Sequence, residues 1–155
     1  MIVIEFNHDE WNQIAEVAEK RVETNGFKPG WDLAEINDRN LVGAAGEAAV
    51  SRYTGLPWYA RSKDLQTVFS RNDVGHLEVR TRNKPKQLDL GIKPYEFEKY
   101  PVSQRFVLCW LRERAVNLIG WTTLGRVDRE GRRSNQYGIT FLDWRKMYDI
   151  ETVML

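Results

Sequence analysis

Asp73, Glu78 and Arg80 sit close together in the stretch "NDVGHLEVRTRNK" (Asn72–Lys84), with His76 between them. A segment that only filled a core would have no use for them. If "HLEVRTR" (His76–Arg82) is a β-strand, alternate residues share a face. Glu78 and Arg80 then point one way, and Leu77, Val79 and Thr81 the other. His76 either joins the Glu78 face as an acid or base, or is a polar residue at the start of the strand with no role. Asp73 lies five residues before Glu78, across Gly75, which can supply a bend. Such a bend would swing Asp73 beside Glu78. Two carboxylates so placed repel each other unless something positive lies between them. A hard divalent cation, Mg²⁺ or Mn²⁺, does that with one or two carboxylates plus water. The backbone carbonyl of Val79 offers a further oxygen.

A second unusual stretch precedes this one. The segment from about Arg39 to Thr54 reads as a helix ended by Gly55–Pro57, and it is crowded with small residues: "NLVGAAGEAAVSRY". Gly43 and Gly46 would each cost a helix about 1 kcal/mol relative to alanine. Close approach of the helix backbone to a neighbouring sheet is the expected compensation. Glu47, the one acid among these small residues, either reaches inward to the sheet or faces water.

The two stretches together carry a resemblance. "D73-V-G-H-L-E78-V-R80" resembles the signature of the PD-(D/E)XK nuclease superfamily: an Asp, a variable gap, then acid–any residue–Lys on a strand. "GAAGEAAV" resembles the preceding helix that contributes a Glu. The apolar strand pair "RFVLCWL" and "AVNLIGWTT" fits the core order of that superfamily, so the resemblance spans roughly Arg39 to Thr123. The chain also looks like small phage-type members. The resemblance implies an α/β, restriction-endonuclease-like sandwich with a central mixed β-sheet flanked by helices. It implies a metal-dependent nuclease hydrolysing phosphodiester bonds in nucleic acid, with DNA expected ahead of RNA and the choice between them left open by the sequence. Mg²⁺ or Mn²⁺ would be held by Asp73, Glu78, Glu47 and the Val79 carbonyl, with Asp73, Glu78, Arg80 and Glu47 as the catalytic set. It also permits a homodimer.

One residue departs from the pattern. Arg80 stands where the family has lysine, and arginine stays protonated and cannot act as a base. It can still stabilise charge on phosphorus. The departure leaves three options: a metal-activated water without a lysine, a lysine folding back from Lys84, Lys86 or Lys93, or a catalytically impaired site that only binds nucleic acid. A protein-interaction or inhibitor module is a further alternative, and a carboxylate-pair glycosidase a distant one.

For substrate, "RTRNKPKQLDLGIK" sets Arg80, Arg82, Lys84, Lys86 and Lys93 against Asp89 alone. Phosphate contacts from such residues give sequence-independent, salt-sensitive affinity. Arg82, Lys84, Lys86 and Lys93 are therefore the candidate nucleic-acid contacts. "GRVDREGRRS" adds Arg126, Arg129, Arg132 and Arg133 on an expected loop. Trp31, Trp58 and Tyr59 are candidates for stacking on bases, whereas Trp110 and Trp121 fall in apolar strand patterns and read as core.

The rest of the chain must position these groups. Its 155 residues, 42% hydrophobic and 29% charged, suit a single domain, residues 1–155. No run reaches the ~18 apolar residues of a membrane span. "MIVIEFNHDE" does not read as a signal peptide. Cys109, the one cysteine, reads as a buried structural thiol. A cytoplasmic protein is expected. Net charge is +1, but residues 1–50 hold ten Asp/Glu against four Lys/Arg (−6) and residues 51–155 hold twelve against nineteen (+7). This hints at one basic face.

"IVIEF" (Ile2–Phe6) reads as a short strand. Asn7 and Glu10 fit a capping box for a helix with Trp11, Ile14, Ala15, Ala18 and Val22 on one face, stopped at Gly26. Residues 27–38 read as a loop, and "TVFS" (Thr67–Ser70) as a short strand. Residues 83–104, with three prolines, read as irregular. "RFVLCWL" (Arg105–Leu111) reads as a central strand pairing as a hairpin with "AVNLIGWTT" (Ala115–Thr123). A strand at "YGIT" and a short helix at "LDWRKMYDI" close the chain.

Overall fold

The computed structural model describes residues 2–25, 33–61, 72–135 and 137–155. The expected strand at Thr67–Ser70, the helix stop at Gly26 and the stacking candidate Trp31 lie outside them.

The chain begins with strand β1 (Ile2–Glu5) and helix α1 (His8–Asn25). The capping box at the head of α1 is present: Asn7 Oδ1 accepts from the Glu10 amide at 2.8 Å, and Glu10 returns the bond at 2.9 Å. Helix α2 spans Leu33–Thr54. It starts six residues before the expected Arg39, because the breakers Pro29 and Gly30 lie upstream and nothing from Leu33 to Asp38 opposes a helix. Strand β2 (Leu77–Arg82) runs parallel to β4 (Arg105–Arg112), and β4 pairs antiparallel with β5 (Ala115–Thr123), as the hairpin reading expected. β1 adds antiparallel to β5, giving a mixed sheet in the order β1-β5-β4-β2.

The stretch read as irregular, residues 83–104, is ordered. It forms β3 (Leu90–Ile92) and helix α3 (Pro94–Lys99). The prolines misled: Pro94 occupies the first turn of α3, where its missing amide costs nothing. Leu90 and Ile92 are fully buried. "GRVDREGRRS" is likewise not a loop, but helix α4 (Leu124–Glu130) followed by β6 (Arg132–Arg133). Thr123 caps α4 by accepting from the Arg126 amide. The "YGIT" strand is displaced to β7 (Thr140–Leu142), since Tyr137 and Gly138 both take positive φ, 63° and 66°, in the turn before it. "LDWRKMYDI" forms single 3-10 turns at Trp144–Lys146 and Ile150–Thr152 in place of a helix. Asp143 and Asp149 each draw in a local amide there. Strands β3, β7 and β6 form a second, antiparallel sheet.

Period two in β2 and β4 sorts the side chains into two cores. Leu77, Val79, Val107, Cys109 and Leu111 pack with Ile14, Ala45, Ala49 and Val50 of the helices. Phe106, from the opposite face, packs with Leu90, Ile92, Leu124, Val127 and Leu142 of the second sheet and α4. The mixed sheet is therefore covered on both faces. Cys109 is fully buried and burial pushes its thiol up, which makes it inert. Among the described residues, no helix is long and apolar enough to cross a membrane.

Candidate active site at the edge of β2

The turn Val74–Leu77 places Asp73. Val74 and Leu77 exchange backbone hydrogen bonds at 3.1 and 2.8 Å across Gly75 and His76. Gly75 takes φ 56°, which an L side chain rarely adopts, and an added Cβ would lie 2.8 Å from Leu56. Gln104, itself buried, clamps the turn by donating to the His76 carbonyl at 2.9 Å. The reversed chain brings Asp73 Oδ2 within 2.9 Å of the Val79 amide, which donates to it. The bend expected at Gly75 is thus present. In an extended chain a residue's N–H and C=O point to the same side. The Val79 carbonyl therefore lies on the Asp73 side of β2, away from β4. His76 sits in the turn, exposed, outside the strand.

Glu78, Arg80 and Arg82 leave the face of β2 that carries the second sheet. Glu78 is buried. Arg80 Nη1 lies 3.4 Å from Glu78 Oε2 and 4.0 Å from Asp73 Oδ2, and its Nη2 is ion-paired to Glu96. Its guanidinium also lies 5.3 Å from the Phe106 ring centroid. Three carboxylates thus share one guanidinium in contact, a formal balance of −2. Asp73 is 28% exposed where the Glu78 side chain is 6% exposed, so the cluster opens to solvent through Asp73.

Glu96 and Tyr100 escaped the sequence reading. Glu96 is the third residue of α3 and also accepts from the Lys93 amide at 2.9 Å. It is buried, so it both caps the helix and anchors Arg80. Tyr100 hydrogen-bonds Glu78, and burial together with that carboxylate raises its phenol. The signal for Glu96 was present: proline, then an acid two residues later, is how a helix begins. Nothing in the sequence alone joined that helix to Arg80.

Glu47 approaches from the other side. It is buried against the helix-covered face of the sheet, where Arg21 pairs with it and Trp58 Nε1 donates to its Oε2 at 2.7 Å. Trp58 is therefore half-buried and committed to Glu47, in place of the stacking role expected of it. Gly46 explains how Glu47 comes so near: a Cβ there would fall 1.8 Å from Thr81 Oγ1, so α2 rides directly on β2. Among the described residues, no three His, Cys, Asp or Glu side chains converge closely enough to hold an ion. The oxygens that could hold a hard divalent cation are those of Asp73 and Glu78, which share Arg80 Nη1, with the Val79 carbonyl.

Burial raises Glu78 to about 7, and the Asp73 charge adds to the effect against the pull of Arg80. Burial likewise raises Glu47 to about 7, opposed by Arg21 and reinforced by Asp73. Both exceed the unfolded value of 4.5. The native state therefore binds more protons than the unfolded state between about 4.5 and 7, and stability falls as pH rises through that window. The loss is on the order of 3 kcal/mol for one such group and is not additive for two that share Asp73. Urea midpoints in EDTA are expected to be higher at pH 5.5 than at pH 8. If Mg²⁺ binds the ionised carboxylates, its addition is expected to flatten or reverse that slope.

Of the expected nucleic-acid contacts, Lys84, Lys86 and Lys93 are exposed. None of them is the lysine whose charge reaches Glu78; that is Lys99, at the end of α3. Arg82 is half-buried, and its Nε donates to the Asp89 carbonyl at 3.2 Å. Comparisons with protein-family models, with curated proteins and with solved structures find no match for this chain.

Proposed function

We propose that the chain is a metal-dependent nuclease of the PD-(D/E)XK type that hydrolyses phosphodiester bonds in nucleic acid. The observation that carries this reading is the charge imbalance at the edge of β2. Asp73, Glu78 and Glu96 share Arg80, and both the burial of Glu78 and its repulsion by Asp73 hold it out of the usual carboxylate range. Asp73, Glu78 and the Val79 carbonyl would hold Mg²⁺ or Mn²⁺. A bound ion would supply Lewis acidity to a phosphoryl oxygen and acidify water.

The remaining roles belong to the chain. The Val79 amide fixes the Asp73 carboxylate. Tyr100 holds Glu78. Glu96 aims Arg80, whose permanent charge suits it to stabilise a phosphorane-like transition state but not to remove a proton. Glu47, tied to Arg21 and Trp58, acts on the site through its charge and its packing.

A second reading is a catalytically impaired nucleic-acid-binding protein. It is favoured by the same Arg80, which three carboxylates already engage. Incubation with labelled DNA and RNA, in single- and double-stranded forms, separates the two. Cleavage that requires Mg²⁺ or Mn²⁺, and falls by at least about a hundred-fold in Glu78→Ala, supports the nuclease. Binding without cleavage supports the second reading.

A further inference from the structure

Beside the carboxylate cluster, between β2, β3, β7 and the start of α3, lies a groove of about 390 Å³. Gly91 lines it without a side chain: a Cβ there would meet the Phe141 ring at 2.9 Å and Arg82 Nη2 at 3.2 Å. Phe141 contributes apolar lining, Lys93 lies exposed on the rim, and Tyr95 stands at the wall with 57% of its surface open to solvent. Arg82 is a half-buried cation whose hydrogen-bond acceptor is a backbone carbonyl. No ion pair joins it to a carboxylate among the described residues; burial and the neighbouring Arg80 charge lower its pKa, opposed in part by the Asp89 charge. A cation in that position gains from an anion.

We propose that this groove is a subsite for one unpaired nucleotide next to the scissile phosphate. Arg82 and Lys93 take its phosphates and Tyr95 stacks on its base, which makes a single strand or frayed end the preferred substrate. This rests on the nuclease reading and narrows it. An exposed ring beside apolar lining suits an unstacked base, whereas a duplex keeps its base faces stacked inside. The volume lies near the lower end of the ~300–1,000 Å³ typical of ligand pockets, room for one nucleotide.

The test is binding of a short fluorescein-labelled oligothymidylate, and of a matched hairpin duplex, to the full chain in EDTA, where no metal-dependent hydrolysis runs. The single strand is expected to bind more tightly than the duplex at the same salt. Tyr95→Ala is expected to weaken strand binding roughly ten-fold and Tyr95→Phe to leave it nearly unchanged. Arg82→Gln should weaken strand binding and reduce the salt slope by about one. The exposure of Tyr95 makes its variants safe for folding, and circular dichroism checks this. Equal affinity for duplex, no strand binding, or full strand affinity in Tyr95→Ala overturns the subsite. If Tyr95→Ala keeps full strand affinity while metal-dependent cleavage persists, the subsite fails and the nuclease reading survives. If strand binding depends on Tyr95 but nothing is cleaved, the reverse holds.

Discussion

Glu78→Gln is expected to make the metal-free protein more stable at pH 8 while abolishing metal binding and cleavage. Ionised Glu78 is buried beside Asp73, and its pKa near 7 means that holding it charged at pH 8 costs folding free energy. Glutamine keeps the shape and can still bond Tyr100, but it removes the buried charge. It also loses the contact of the carboxylate with Arg80, which stays paired to Glu96. The net gain is expected to be about 1–2 kcal/mol, a rise in Tm of roughly 3–6 °C for a chain of this size. Thermal unfolding in EDTA reads it directly. Cleavage should fall by at least about a hundred-fold in the same variant. A residue that weakens the fold and is needed for activity fits the usual conflict between stability and function. If Glu78→Gln destabilises the metal-free protein by more than about 2 kcal/mol, the carboxylate is there to hold Arg80, and the ion-pair reading of the cluster is the better one.

The second large effect is structural. Gly46→Ala places a methyl 1.8 Å from Thr81 Oγ1 and 3.0 Å from Thr81 Cβ. Helix α2 or the Thr81 side chain must then shift. Alanine regains about 1 kcal/mol of helix propensity, but overpacking typically costs about 1–3 kcal/mol, occasionally more. A net loss of about 2 kcal/mol is expected in urea unfolding, and a shift of the helix carries Glu47 away from Trp58 and Asp73. Thr81→Ala should rescue much of the loss, because it removes the clashing oxygen. That oxygen is buried with no hydrogen-bond partner, so its removal leaves nothing unsatisfied. Additive effects of the two substitutions, with no rescue, would mean that the helix does not ride on Thr81.

What could be read from the sequence was local. β2, β4 and β5 follow from β-branched and apolar runs, and the bend at Gly75 from a glycine between an acid and a strand. The thinness of α2 follows from its small residues. The face on which each acid lies was harder to see. Asp73 and Glu78 come together as expected, but Glu47 reaches the sheet from the opposite face, because α2 packs on the side of Leu77 and Val79. Register along one strand is written in a single stretch, whereas the choice of face for a helix depends on contacts with residues far away in the chain. The same holds for Glu96 and Tyr100: they belong to a stretch that its three prolines made read as irregular, and they enter the site through long-range pairing of β3 with β7. The restriction-endonuclease-like sandwich remains part of the proposal; the molecule itself is an α/β fold with a mixed four-stranded sheet, helices on one face and a smaller sheet on the other.

The most direct measurement is anomalous diffraction from a crystal grown with Mn²⁺. A peak within bonding reach of both Asp73 and Glu78, about 2.0–2.4 Å from their oxygens and beside the Val79 carbonyl, with Arg80 Nη1 displaced from the pair, is the predicted result. Saturating Mn²⁺ with no peak there, and Arg80 still seated between Asp73 and Glu78, would contradict the account.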